Sequence, residues 1–216
     1  MSTIHELMSE IKKKKAYCNL LFIVANLVIF VLMEFGGNRE SIRYVLGWGA
    51  GFPKAYEAGQ YWRLFTQMFL HSDLEHLINN MLLLYLLGDN LERVLGHIKY
   101  FCLYVVAGVG ASIVSWQMQV VNKTAYVTLG ASGAVFGVLG ALLCILAVNK
   151  GRLEGLQFKK LLLMACLSLY AGFSSGGVDN AAHVGGLVIG FIAAFFLKGI
   201  QIIMLRMGRE NIEDEN

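Results

Sequence analysis

Five stretches of this chain run for 18 residues or more without a charged side chain: Ala16–Met33 (18), Tyr100–Asn122 (23), Thr124–Asn149 (26), Leu161–Val178 (18) and Asn180–Leu197 (18). An α-helix rises 1.5 Å per residue, so about 20 such residues reach across the roughly 30 Å hydrocarbon layer of a bilayer. A chain of 216 residues has too little polar surface to wrap five apolar rods in a water-soluble shell. Charged residues make up 15% of it and apolar ones 56%, against roughly 25% charged in a soluble domain. These values argue against disorder, a coiled coil, a collagen-like chain and a soluble α/β enzyme. The 24 glycines and single proline suit membrane helices, whose contacts favour small residues. The expected fold is all-α, a polytopic membrane protein.

The charge distribution calls for a sixth span. His76–Gly88 is uncharged over 13 residues and crosses only if its polar ends are counted; by length alone a re-entrant segment fits as well. With six spans the 18 Lys and Arg residues separate into thirteen on one side and five on the other. The larger set is Lys12–Lys15, Arg93, Lys99, Lys150, Arg152, Lys159, Lys160, Lys198, Arg206 and Arg209. Positive charge marks the cytoplasmic side, so both termini are expected there. Residues 1–15 then form a cytoplasmic segment, 16–198 the membrane domain and 199–216 a helix extension with a solvated acidic end. Ala16–Met33 is too long for the apolar region of a signal peptide and lacks a small-residue cleavage site, so it is read as a retained span. The first outer segment, about Glu34 to Gln67, carries Trp48, Phe52, Tyr56, Tyr61 and Trp62, aromatics suited to the headgroup layer.

Polar groups inside a membrane need a reason. His183 lies about one turn into the sixth span. Taken alone, the commoner role of such a histidine is an interhelical hydrogen bond. Ser132 opens the fourth span within Gly130-Ala131-Ser132-Gly133-Ala134-Val135-Phe136-Gly137. Taken alone it is one more small contact residue, and Ala134 breaks the soluble-hydrolase pattern G-x-S-x-G. Topology changes that balance. Both spans start on the outer side, so serine and histidine share one depth. Gly133, Gly137 and Gly140 on one helix and Gly186 and Gly190 on the other permit close approach. A hydroxyl and an imidazole in reach form a nucleophile-plus-base pair. His76 and Asn80, at i and i+4, share a face of the second span at the same depth. With the Ser132 amide at a helix N-terminus they suit stabilisation of an oxyanion. Asp179, four residues before His183, is either on the same face or a loop residue. Cys18, Cys102, Cys144 and Cys166 lie in apolar runs without metal-ligand spacing and are read as packing residues.

The chain resembles the rhomboid intramembrane serine proteases over nearly its whole length. Four pieces follow the family's order: Tyr61-Trp62-Arg63, like its tryptophan–arginine loop motif; His76 and Asn80, in its H-x3-N element; Gly130-Ala131-Ser132-Gly133, matching G-x-S-G; and Ala182-His183-Val184-Gly185-Gly186, matching A-H-x-x-G. The resemblance implies a six-transmembrane-helix rhomboid-like bundle and a serine endopeptidase. Ser132 is then the nucleophile, His183 the base, without a third acid, and Asn80, His76 and the Ser132 amide hold the oxyanion. Phe136 stands where many relatives carry a tyrosine stacked on the histidine. Gly130, Gly133, Phe136, Gly137, Gly186 and Gly190 pack around the dyad. No metal or other cofactor is implied. The partners implied are transmembrane protein substrates and the lipid bilayer, with no nucleic acid; the oligomeric state stays open. The setting implied is a bacterial cell membrane with the active site towards the outside. The stretch Ala171–Asp179, rich in glycine and serine, is read as a flexible gate beside the fifth span.

Other classes fit less well. H-E-x-x-H, the helical zinc-protease pattern, is missing, and Asp73, Asp89, Asp179 and Asp214 flank or lie outside the spans. A transporter predicts broken helices or a charged midplane site. The alternative is a catalytically inactive rhomboid-like protein that binds clients; such proteins typically lack the serine or the histidine.

Overall fold

A computed structural model describes the backbone of residues 15–149, 152–153, 156–174 and 176–213, and the side chains of these except at 152, 153 and 198–213. Lys12–Lys14, Lys150, Asp214 and Glu215, which entered the charge argument, lie outside the described residues. The first rod is α1 (Tyr17–Gly36). The outer segment folds into three short helices, α2 (Ile42–Gly47), α3 (Pro53–Glu57) and α4 (Arg63–Thr66), closed by a 3₁₀ turn over Gln67–Phe69. The second rod joins α5 (Leu74–Leu83), a π turn (Leu84–Gly88) and α6 (Asp89–Leu95). Then come α7 (His97–Val121), α8 (Ser132–Val148), a two-residue antiparallel hairpin of β1 (Arg152–Leu153) and β2 (Leu156–Gln157), α9 (Phe158–Ser174) and α10 (Asn180–Glu213).

Two of the sequence windows need correction. The second rod is longer than His76–Gly88, because its charged end continues the helix to Leu95. Arg93 is offset there by Asp89 one turn earlier, Nε to Oδ2 at 2.8 Å. The fourth rod is shorter than Thr124–Asn149: residues 124–131 run outside the helix, which begins at Ser132. The sixth passes Leu197 and continues to Glu213. Among the described residues, three helical stretches are long and apolar enough to cross a membrane by themselves: Tyr17–Gly36, His97–Val121 and Asn180–Leu197.

Burial follows composition. A helix apolar on every face is buried all round, and α8 is enclosed from Gly133 to Leu146 by α7, α9, α10 and the π turn. In α1 two polar residues are buried beside Phe22, Phe30 and Met33 while many apolar ones are exposed. It buries Asn19 and Asn26 and exposes Leu20, Leu21, Val28 and Leu32. Such a face is stable against lipid, where polar groups turn inward to find partners.

The buried asparagine belongs to a polar clasp at the end of the bundle remote from Ser132. Glu92, 1% exposed, accepts the amides of Cys18 (2.9 Å) and Asn19 (2.6 Å), two donors that the first turn of α1 cannot satisfy internally. A carboxylate also suits the positive end of that helix. Asn19 Nδ2 donates to the Leu84 carbonyl at the π turn (3.0 Å), and Tyr100 donates to Asn19 Oδ1 (2.6 Å). His97 Nδ1 lies 2.5 Å from Glu92 Oε1. Cys18, read from the sequence as a plain packing residue, sits in this cluster beside Glu92 and His97. Cys102 and Cys166 are exposed rather than packed inside.

Glu92→Ala leaves two helix-terminal amides without their carboxylate. We expect a loss of about 2–3 kcal/mol, read as a lower thermal midpoint in detergent. An unchanged midpoint refutes the clasp.

Candidate active site

Ser132 is the first residue of α8, so its amide has no intrahelical acceptor. The chain reaches it through a constrained strap. Thr128 exchanges backbone hydrogen bonds with Gly51 (2.8 and 2.9 Å), and the Gly130 amide donates to the Gln67 carbonyl (2.9 Å). Gly130 then takes φ +129°, a backbone region that favours glycine. A Cβ there would lie 2.8 Å from both Cε1 and Nε2 of His76 and 3.7 Å from Ser132 Oγ. The histidine of the second rod and the serine of the fourth therefore flank one point. A cavity of about 30 Å³ adjoins them, lined in part by Gln67, Ser112, Gly130, Ser132 and Ala182.

His183 lies in the first turn of α10, half-buried. Its ring stacks on Phe136, one turn beyond Ser132, at 4.3 Å between centroids and 12° between planes. The two helices meet backbone to backbone. A Cβ on Gly186 would strike the Gly133 carbonyl, one on Gly190 the Gly137 carbonyl, and one on Gly140 the Leu187 carbonyl. Gly133 and Gly137 also face Ala111 and Ala107 of α7. Ser132 and His183 thus extend from the two sides of one glycine contact. Among the described residues, the buried His183 Nδ1 has no hydrogen-bond partner. Asp179, the acid nearest in sequence, instead caps α10 through the Ala182 amide (3.0 Å) and takes the Ser115 hydroxyl. The stretch Ala171–Asp179, expected to be loosely anchored, is thus tied down at its Asp179 end.

His76 and Asn80 share a face of α5. Asn80 is buried and donates one amide hydrogen to the His76 carbonyl (2.9 Å); a carboxamide has a second to offer. Asp73 caps α5 by accepting the His76 amide (2.8 Å). The Ser72 hydroxyl donates to Asp73 Oδ2 (2.6 Å) and lies 3.2 Å from His76 Nδ1. The Ser72 hydroxyl and the His76 amide hold the Asp73 carboxyl below its usual range. With its only proton given to Asp73, Ser72 can serve His76 only as an acceptor, so Nδ1 carries the ring proton. A neutral His76 then presents an acceptor at Nε2, and only the imidazolium donates from both nitrogens.

Sequence reading missed the residues that hold the strap. Gln67 accepts from Thr128 Oγ1 (2.5 Å) and donates to the Tyr56 hydroxyl (3.0 Å). Tyr56, assigned above to the headgroup layer, is 1% exposed and packs on Trp116 of α7 at 4.9 Å. Burial pushes its phenol up to about 12. Tyr61 and Trp62 do stay exposed. Arg63 folds the outer segment by donating to Gln60 Oε1 (2.6 Å) and to the carbonyls of Leu46 (2.6 Å) and Ala50 (3.0 Å). A Trp-Arg pair in an outer loop was the one available signal. Gln67 and Thr128 carried none.

A serine at a helix N-terminus, an imidazole on the facing helix, free amides and a small cavity form an arrangement suited to acyl transfer. Comparison with known proteins points the same way. A rhomboid domain model matches residues 58–199. The rhomboid protease GluP of Bacillus subtilis (strain 168) is 33% identical over 174 residues, covering 81% of this chain and 33% of that protein. The rhomboid protease AarA of Providencia stuartii is 35% identical over 174 residues, 71% of this chain and 61% of that one. RHOMBOID-like protein 5 of Arabidopsis thaliana is 38% identical over 151 residues, 69% and 48% respectively. The chain spans between about a third and three-fifths of the length of these relatives.

Gly130→Ala puts a methyl group against the His76 ring at a left-handed backbone position. We expect stability to fall by about 1–2 kcal/mol and hydrolysis of a model peptide to fall at least about tenfold. Turnover equal to the unsubstituted protein contradicts the placement of His76 beside Ser132.

Proposed function

We propose the following activity for this chain, which belongs to the rhomboid family: it is an integral membrane serine endopeptidase that cuts client transmembrane helices near their outward ends. The observation that carries this reading is the glycine contact that brings the first turns of α8 and α10 together, with Phe136 stacked on His183. Two relatives are named as proteases.

The chemistry runs in two halves. The Ser132 oxygen attacks the scissile carbonyl carbon while His183 takes the hydroxyl proton. The carbonyl oxygen becomes an oxyanion, held by the Ser132 amide and an Asn80 amide hydrogen, and by His76 when that ring is an imidazolium. Collapse breaks the C–N bond, and His183 returns the proton to the leaving amine. Water then attacks the acyl-serine, again giving a proton to His183; the acyl C–O bond breaks, His183 returns that proton to the Ser132 oxygen, and the second fragment leaves as a carboxylic acid. The lone Nδ1 of His183 fits a dyad: among the described residues no carboxylate orients the ring, and stacking on Phe136 takes that part.

The six rods cross the bilayer with the thirteen-residue basic side in the cytoplasm, so both termini lie inside and Ser132 opens towards the outside. A client enters sideways beside α9. Its carbonyls are engaged in i→i+4 hydrogen bonds, and each must be freed before attack. Helix-weakening residues near the cut therefore favour a client. The tight ground around Ser132 favours a small residue before the cut.

Ser132→Ala and His183→Ala are each expected to abolish cleavage and the first also labelling by a fluorophosphonate, with the double variant no worse than either. Hydrolysis by purified Ser132→Ala protein removes the serine mechanism. Asn80→Ala is expected to lower turnover by about 10²–10³ with a smaller change in binding. A fall in binding alone reassigns Asn80 as a substrate contact.

Mapping the cut in a single-span substrate by mass spectrometry tests the placement. We expect a bond near the outward end, cut faster beside Gly or Pro than in an all-leucine helix. A cut near the cytoplasmic end, or equal rates for both substrates, refutes it.

A further inference from the structure

Asp179 has no part in the chemistry above, yet its carboxylate touches both sides of the machinery. Oδ1 accepts the Ala182 amide at 3.0 Å, one residue before His183, and so caps the first turn of α10. The Asp179 carbonyl accepts the His183 amide at 3.2 Å, the first helical bond of that turn. Oδ2 takes the hydroxyl of Ser115, which is buried in α7. Gln119, one turn further along α7, donates to Ser115 Oγ at 3.4 Å and accepts the Tyr126 amide at 2.9 Å. Tyr126 lies on the strap that runs to Ser132. One line of hydrogen bonds thus joins the entry of the histidine helix, through α7, to the entry of the serine helix.

The rest of the site makes this line matter. Among the described residues His183 Nδ1 has no partner, so none of their side chains steers the ring by hydrogen bonding at that atom. The ring's position then follows from the stack on Phe136 and from the course of the first turn of α10. Of these, the stack fixes the ring's plane but lets it slide. The cap fixes where the helix begins. Catalysis falls by up to about 100-fold when a reacting group moves by about 1 Å.

We propose that Asp179 is a positioning residue, clamping the first turn of α10 to Ser115 of α7 and so holding the His183 imidazole at Ser132. The proposal rests on the peptidase reading. It assigns Asp179 geometry and not charge: its carboxylate is turned to a backbone amide and a hydroxyl. Asparagine caps helices about as well as aspartate, and its amide group can donate to Ser115 Oγ where aspartate accepts.

The experiment uses the full chain in detergent or vesicles, three single variants and one double variant. Asp179→Ala and Ser115→Ala are expected to lower kcat by about 10- to 100-fold with KM within about twofold. Their combination is expected to be no slower than Asp179→Ala, because both cut one line. Asp179→Asn is expected to keep kcat within about threefold of the unsubstituted protein. Hydrogen exchange over residues 180–187 is expected to speed up in the two alanine variants and not in Asp179→Asn. Unchanged kcat in folded Asp179→Ala overturns the proposal. So does an Asp179→Asn protein that is as slow as Asp179→Ala, since charge and not the clamp would then be at work. Should Asp179→Ala fail to fold, Ser115→Ala and Asp179→Asn decide by the same criteria. If the unsubstituted protein neither cleaves nor takes the fluorophosphonate label, the peptidase reading fails. The exchange rates then still decide the clamp, and unchanged rates in Ser115→Ala overturn it.

Discussion

Backbone resting on backbone organises this molecule. Gly186 and Gly190 of α10 lie on the carbonyls of Gly133 and Gly137 of α8, with Gly140 against Leu187 from the other direction. Lipid tails are as apolar as leucine, so no hydrophobic force draws two membrane helices together. What holds them is van der Waals contact at a range that only the smallest side chain allows, with weak Cα–H···O contacts in support. Ser132 precedes the first of these glycines and His183 is three residues ahead of Gly186. The contact that brings the helices together therefore lies beside both Ser132 and His183. Side chains larger than hydrogen at these positions would separate the axes before they changed anything polar.

The two ends of the bundle are finished differently. Remote from Ser132, buried Glu92 binds α1 amides and draws α1, the π turn and α7 together through Asn19 and Tyr100. At the other end the outer segment folds over the helices, tied by Arg63 to its own carbonyls and by Tyr56, Gln67 and Thr128 to the strap before Ser132. In both places polar groups that a soluble protein would leave to water are satisfied by one another, as a low-dielectric surrounding requires. The first end stabilises; the second also sets the course of the chain into Ser132.

Much of this was open to reading from residue order. Charge-free windows located five rods because a charge is the one thing a lipid-facing segment excludes. Ser132, His183, His76 and Asn80 stood out because polar groups at equal depth in apolar, glycine-rich helices call for a reason. The second rod was underestimated because Asp89, Glu92 and Arg93 read as a stop, whereas Asp89 and Arg93 pair with each other and the cost of Glu92 is offset by amides 73 and 74 residues away in sequence. The fourth was overestimated because an uncharged window does not separate helix from strap; the left-handed turn at Gly130 and the pairing of Thr128 with Gly51 do. Tyr56 was assigned to the wrong surface for a similar reason: an aromatic in a loop looks the same whether it meets headgroups or a buried glutamine.

By itself the sequence determined that the chain is an all-α polytopic membrane protein, which glycines allow close contact, and which polar residues share a depth. Those properties depend on local composition and on periodicity along single helices. Tertiary structure alone decided that Asp179 turns to Ser115 and the Ala182 amide. It alone decided that Ser72 leaves the ring proton of His76 on Nδ1, and that Gln67 carries the strap into Ser132. Each of these depends on which lone pair or proton remains after every neighbour has been served, and that count exists only once distant segments are brought together.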